Sequence, residues 1–317
     1  MRILRDRTAF SAVPRPVFLA AGFFDGVHVG HRAVLEAAKS RARAVGGTVW
    51  ALTFDRHPLS LLAPEKAPPL LFPLEERLRQ LEAAGLDGVL LLAFTRDLAQ
   101  ESPETFLASL AAPGTPSPGR PLSEICCGAN WRFGSRASGT PALLASIGHR
   151  FGFGVAVIPY ARYRDGEVSS TRIRRAVCEG CLEEANAMLG SPFSVCGEVL
   201  RGRGVGGRVL SFATANLDAT PHPVLPPAGV YATEVALPDG TRRPGVTDIG
   251  VHPTFGAAEA PVIETHLPGF TGDLYGTNIR LSFLARLRAE KTFSSPDALA
   301  RQIRQDIADA ERIFARA

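Results

Sequence analysis

Near residue 190 the hydrophobic periodicity of this 317-residue chain changes, and that change limits the folds open to it. Before it, short apolar runs alternate with amphipathic stretches. Pro16 to Phe24, Thr48 to Phe54, Gly88 to Phe94, Leu122 to Cys127 and Gly154 to Pro159 read as buried strands. His31 to Val45, Pro73 to Ala84, Pro103 to Leu110 and Pro141 to Ile147 read as helices, the second of them ended by Gly85. Alternation at this spacing predicts an α/β doubly wound parallel sheet, whose ligands bind beyond the carboxyl ends of the strands. After the change, SVCGEVL, VYATEVAL, RPGVTDIG, PVIETHL and TNIRLSFL follow one another with no helix between them. That pattern predicts a small antiparallel β-barrel. Pro296 to Ala315 closes the chain as a helix with Leu299, Ile303, Ile307 and Ile313 on one face. Ser170 to Leu189 reads as helical, and Gly190-Ser191-Pro192 as a hinge. The expected domains are therefore 1–190 and 191–317, with Ala112 to Pro121 a proline-rich surface loop.

Composition narrows the function classes. Hydrophobic residues make up 45% and charged residues 21%, enough apolar material for each half to bury a core. The net charge of +4 suits phosphorylated substrates and does not require nucleic acid. Arg172, Arg174 and Arg175, and Arg201, Arg203 and Arg208, are the only basic clusters, and no nucleic-acid-binding module is recognisable. No run of about eighteen apolar residues occurs, so neither a membrane span nor a membrane partner is expected. The start, MRILRDRTAF, lacks an apolar signal core, and the expected location is the cytoplasm. Cys126, Cys127, Cys178, Cys181 and Cys196 read as reduced thiols. Cys178 and Cys181 form a CxxC in helical sequence, without the second pair a structural zinc site uses. Oligomeric state is not legible.

The sharpest local signal is GFFDGVHVGH, Gly22 to His31, between an apolar strand and a helix. Free N–H groups at a helix start favour an anion. Gly26 and Gly30 permit close backbone approach to phosphate. His28 and His31 lie three apart, so both imidazoles can face one phosphate. Taken alone, the pair would be an ordinary helix cap. A second stretch, Val168 to Arg174 (VSSTRIR), puts Ser169, Ser170 and Thr171 where hydroxyls cap a helix and reach phosphate oxygens. Arg172 or Arg174 can meet the outer phosphates.

These two motifs resemble the HxGH nucleotidyltransferase superfamily. Thr53 to Pro58 (TFDRHP) and Gly128 to Gly134 (GANWRFG) narrow the resemblance to bacterial bifunctional riboflavin kinase/FMN adenylyltransferases, also called FAD synthetases. The second half resembles their kinase module: GRVLSFATANL (Gly207 to Leu217), LPPAGVYA, HPTFG, PVIETHL, DLYG and RAEKTF occur in family order. The resemblance implies two activities, phosphorylation of riboflavin to FMN and adenylylation of FMN to FAD, both from ATP and both with Mg²⁺. It implies that His28, His31 and Arg174 act in adenylyl transfer. Gly22, Phe24, Asp25, Gly26, Gly30, Ser169, Ser170, Thr171 and Arg172 would surround the ATP. It assigns Asn130 and Trp131 to the flavin, Thr214 and Asn216 to ATP and Mg²⁺, Glu264 to the kinase base, and Arg288 to the flavin.

Two departures stand out. Ser211 replaces a glycine and Ala213 a proline of the family's GFPTAN. They raise an alternative, an adenylyltransferase joined to a weakened or inactive flavin-binding kinase domain. Other adenylyltransferases of the superfamily resemble only the first half.

Overall fold

A computed structural model of the protein describes residues 1–11, 13, 16–111, 122–201, 214–219, 224–251 and 261–317. The expected loop Ala112 to Pro121, both departures Ser211 and Ala213, Arg203, Arg208 and the HPTFG stretch lie outside the described residues. The chain divides into two units, Met1–Ser170 and Thr171–Ala317.

In the first unit, β1 (Arg2–Leu4), β2 (Val17–Ala21), β3 (Thr48–Phe54), β4 (Gly88–Leu92), β5 (Leu122–Gly128) and β6 (Gly154–Ile158) form a sheet in the order β1-β4-β3-β2-β5-β6. Every pairing is parallel. The helices are α1 (Arg7–Ser11), α2 (Val29–Ala44), α3 (Pro58–Leu62), α4 (Leu74–Ala83), α5 (Arg96–Gln100), α6 (Pro103–Ala111) and α7 (Pro141–Phe151). Alternation along β2 sends Phe18 and Ala20 to one core with Leu35 and Ala38 of α2. Val17, Leu19 and Ala21 enter the other, with Phe106 and Leu107 of α6. A strand buried on both faces reads as an unbroken apolar run, the signature VFLAA carries. After β2 the chain builds β3 and β4 on one side, then returns to add β5 on the other. The sheet therefore switches direction between β2 and β5, where doubly wound sheets bind ligands.

The second unit opens with α8 (Ser170–Cys178, its first residue in the preceding unit) and α9 (Leu182–Leu189). The single helix expected over 170–189 is broken at Gly180. That residue has φ +76° and carries a Schellman cap, with Cys181 N–H on Ala176 O at 2.8 Å and Gly180 N–H on Val177 O at 3.0 Å. Cys178 and Cys181 flank the break and are exposed. No group of His, Cys, Asp and Glu able to hold a metal occurs among the described residues.

A small hairpin, β7 (Arg162–Tyr163) and β8 (Gly166–Glu167), precedes this helix pair. Next come β9 (Ser194–Leu200), β10 (Thr214–Asp218), β11 (Gly229–Ala236), β12 (Arg242–Val251), β13 (Pro261–His266) and β14 (Asn278–Arg288). They close into an antiparallel barrel in the order β10-β13-β12-β11-β14-β9. Closure leaves no strand edge. Thr233, Thr247 and Thr265, fully buried on three adjacent strands, join their hydroxyls at 2.8 and 2.9 Å. Helix α10 (Pro296–Phe314) covers β11, β12 and β14, setting Ile307, Ala310 and Ile313 against Val230, Ala232 and Val246. Helix α9 packs on β14. Its Asn186 donates to Phe283 O at 3.0 Å and accepts from Phe193 N–H at 2.7 Å. The division into units thus falls ahead of residue 190, with α9 on the barrel side.

Candidate active site

Strand β2 leads into the turn Gly22–His28, which opens α2 at the switch point. Phe24, Gly26 and Val27 take positive φ values of 59°, 90° and 38°, so two non-glycine residues hold an uncommon backbone conformation here. Several contacts fix the turn. Phe24 is fully buried and packs edge-on against His31, ring centroids 5.2 Å apart. Thr53 Oγ1 donates to Phe23 O at 2.9 Å. The buried Asp25 carboxylate accepts the Leu71 N–H at 3.0 Å and the Phe72 N–H at 3.3 Å. Ser170 donates its hydroxyl to Asp25 O at 2.9 Å, bringing the second motif's first helical residue onto the turn.

His28 caps α2, its Nδ1 accepting the His31 N–H at 3.3 Å. The two imidazoles stack, centroids 3.6 Å apart and planes 16° from parallel. A Cβ on Gly30 would meet the His28 ring at 3.2 Å, so glycine there lets the ring lie against the helix start. Burial pushes the His28 pKa down to about 4. Burial pushes His31 well down too, aided by the neighbouring His28 and Arg77. Both are therefore neutral near pH 7. Because Nδ1 of His28 accepts, its proton sits on Nε2, which becomes the donor. The pair presents N–H dipoles beside the free amides of a helix start, a setting that suits phosphate oxygens.

Sequence reading missed Arg77. It lies in α4 with an exposure of 1% and donates to Phe23 O at 3.0 Å and Phe54 O at 2.5 Å. Its signal was present: Leu74, Arg77, Leu78 and Leu81 have the spacing of one helix face, and only Arg77 breaks the apolar stripe.

The other predicted residues fall as follows. Gly22 follows β2 and donates to Leu52 O at 3.1 Å. Ser169 is half-buried beside Ser170. Thr171, Arg172 and Arg174 lie in the first turns of α8, in the second unit, with Thr171 exposed and both arginines half-buried. Asn130 is exposed in the loop after β5. Trp131 is half-buried, stacked on the buried Phe133 at 4.5 Å and 18°.

In the barrel, Asn216 of β10 pairs across the ladder with Glu264 of β13, which pairs on its other side with Asp248 of β12. Thr214 pairs with His266. Ala215, Leu217, Ile263 and Thr265 are the buried positions of β10 and β13, so Thr214, Asn216, Glu264 and His266 share the opposite, half-buried face. Thr214, Asn216 and Glu264 bring hard oxygen donors to this face, the ligand type Mg²⁺ takes, with the imidazole of His266 beside them. Arg288 ends β14. Its guanidinium is held by the buried Asp306 of α10, Nη2 to Oδ2 at 2.9 Å and Nε to Oδ2 at 3.0 Å.

Fold and site define a class: a nucleotidyltransferase-like α/β unit followed by a riboflavin-kinase-like barrel with a trailing helix. Comparisons with known proteins agree. A family model described as FAD synthetase matches residues 11–172, and one described as riboflavin kinase matches residues 189–314. A bifunctional riboflavin kinase/FMN adenylyltransferase of Escherichia coli K12 is 34% identical over 315 residues, covering 99% of this chain and 98% of that protein. One from Bacillus subtilis 168 is 32% identical over 300 residues, covering 93% and 92%. A Streptococcus pneumoniae chain solved as a macrolide-efflux protein superposes with a TM-score of 0.84 at 27% identity, covering 98% of each chain. No helix among the described residues is long and apolar enough to cross a membrane. The chain belongs to the bifunctional riboflavin kinase/FMN adenylyltransferase family, and it is an enzyme of that type.

Proposed function

We propose that the α/β unit transfers AMP from ATP to FMN and that the barrel phosphorylates riboflavin with ATP, the functional division lying near residue 190. The stacked, neutral His28–His31 pair at the start of α2 carries the first assignment. An FMN phosphate oxygen attacks the α-phosphorus of ATP, a new P–O–P link forms, and the bond to the β-phosphate breaks to release pyrophosphate. The second pKa of a phosphate monoester is about 6, so FMN needs no general base near neutrality. The protein's task is alignment and charge stabilisation. His28 Nε2–H, His31 and the amides around Gly26 and Gly30 serve the phosphates. Ser169, Ser170, Thr171, Arg172 and Arg174 serve the departing pyrophosphate. Gly22, Phe24 and Asp25 shape the turn, with the Asp25 carboxylate committed to backbone amides rather than to nucleotide. Trp131 and Asn130 suit a flavin ring and its polar edge.

In the kinase reaction Glu264 accepts the proton of the riboflavin 5′-hydroxyl, whose oxygen takes the γ-phosphoryl group and releases ADP. The cross-strand pairing of Asn216 with Glu264 supports this assignment. Thr214 and Asn216 would hold Mg²⁺, which when bound neutralises phosphate charge. Arg288, held at the end of β14 by Asp306, serves the flavin.

The test is incubation of purified protein with riboflavin, ATP and Mg²⁺, with FMN and FAD resolved by chromatography. Both products are expected. FAD formed only from added FMN would mean that the kinase half is inactive. His28→Ala should cut FAD formation strongly and leave FMN formation intact, and equal loss of both activities in a folded variant would refute two separate sites.

A further inference from the structure

Arg77 is a cation buried where an apolar residue would complete the stripe of α4 at no electrostatic cost. Its planar fork bridges two carbonyls at the exits of adjacent strands, Phe23 O after β2 and Phe54 O at the end of β3. The guanidinium also lies over the Phe23 ring, 4.3 Å from its centroid. A lysine could not make this set of contacts, because a single ammonium neither bridges both carbonyls nor stacks flat. Burial lowers the Arg77 pKa to about 10, while Asp25 and Asp55 act to raise it, so the group stays charged near neutrality. Asp25 is in the histidine turn and Asp55 follows β3, where its carboxylate accepts the Phe94 N–H at 2.9 Å. His31 feels the Arg77 charge as well as His28. Two fully buried nitrogens in this neighbourhood, Arg77 Nε and His31 Nδ1, have no hydrogen-bond partner among the described residues. Buried polar atoms left so are uncommon in folded proteins.

We propose that Arg77 is a positioning residue of the adenylylation site: it ties the exits of β2 and β3 together under the histidine turn and holds a fixed positive charge behind His31. The first role sets where the imidazoles point. The second keeps His31 a neutral N–H donor when His28 stacks on it, and adds positive potential beneath a site for anionic phosphates. This inference rests on the adenylylation reading above.

The test uses the full chain and compares Arg77→Met, Arg77→Lys and wild type. FMN-to-FAD conversion is followed for kcat, KM for ATP and the pH dependence of kcat/KM. Riboflavin phosphorylation is measured in the same preparations. Arg77→Met should lower kcat/KM for adenylylation by roughly 100-fold, the scale of a misplaced reacting geometry, with riboflavin phosphorylation retained. Its acid limb should move to higher pH, because removing a nearby positive charge lets His31 protonate more readily. Arg77→Lys should keep the acid limb near wild type while recovering only part of kcat. The proposal is overturned if Arg77→Met retains wild-type adenylylation with an unmoved acid limb. It is also overturned if Arg77→Lys loses both activities in parallel, since the residue would then be general structural support. Wild-type protein that forms FMN but no FAD would instead overturn the adenylylation reading itself.

Discussion

A histidine that caps a helix through Nδ1 can do so only while that nitrogen is unprotonated. His28 makes such a cap, and burial depresses its pKa from 6.5 to about 4. In the unfolded chain the imidazole binds a proton as pH falls below about 6.5, whereas in the folded chain it resists until about pH 4. Over that window the unfolded state holds more protons, so stability falls as pH falls. The depression corresponds to about 3 kcal/mol, fully present as a loss only below about pH 4. Both tryptophans, Trp50 and Trp131, lie in the first unit, so tryptophan fluorescence follows its unfolding alone. His28→Asn keeps a capping acceptor and removes the titration. Urea titrations at pH 7, 5.5 and 4 should show wild type losing more stability than the variant, and parallel curves would refute the buried neutral imidazole. In the barrel, Glu264→Gln keeps shape and removes basicity. It should reduce riboflavin phosphorylation about 100-fold or more in kcat with little change in flavin affinity. Near-normal turnover would move the base elsewhere, with Asp248, its ladder neighbour, the next candidate. The His28–His31 pair was legible because two histidines stand three apart between an apolar strand and a helix, whereas the assignment of Glu264 came only from the ordered motifs that resemble the kinase module. Arg77 was not legible, because a charged residue on an amphipathic helix reads as facing water unless its phase against the leucines is checked.

At the level of elements, periodicity carried most of the information. The β2 and β4 runs, buried at every position, are interior strands of the parallel sheet, in keeping with their unbroken apolar sequence. The break between α8 and α9 was missed because cap geometry at Gly180 outweighs the helical pattern on either side. The last helix shows the limit from another direction. Its apolar residues predicted the covering face, and Ile307 and Ile313 do pack there. Asp306, however, also turns inward, 3% exposed, where it meets Arg288 and accepts from Gln302 at 2.8 Å. Period alone cannot announce a buried carboxylate whose partner comes from a strand eighteen residues earlier. Asp306 is buried but Arg288 only half-buried, so removing the carboxylate loses a charge-assisted hydrogen bond worth about 1.5–3 kcal/mol rather than stranding a fully buried charge. Asp306→Ala should therefore lower barrel stability by roughly that amount and reduce riboflavin phosphorylation through the end of β14. FAD formation from added FMN should persist. Thermal melts together with the two product assays check this, and an unchanged melt would mean that the pair contributes nothing to holding α10.

For the whole molecule the decisive question is where it can be cut. The change of periodicity suggested residue 190, and the family models stop at 172 and resume at 189. The compact units divide earlier, between Ser170 and Thr171. The difference is physical. Helix α9 buries Leu182, Ala185, Met188 and Leu189, each with at most 3% exposure, and packs on β14. Asn186 also satisfies the Phe283 carbonyl and the Phe193 amide. A fragment starting at Ser191 keeps the closed barrel and α10 but uncovers that side of β14 and leaves two backbone groups to water. A fragment starting at Thr171 keeps them covered. Fully burying a leucine or methionine side chain is worth about 1.5–3 kcal/mol, and a small barrel has little stability to spare. Both fragments should fold and phosphorylate riboflavin, neither should form FAD, and the 171–317 fragment should melt cooperatively at the higher temperature by several degrees. Asn186→Ala in the longer fragment should recover part of the difference. Equal melting of the two fragments would show that α9 contributes nothing to the barrel, and the boundary near 190 would then be structural as well as functional.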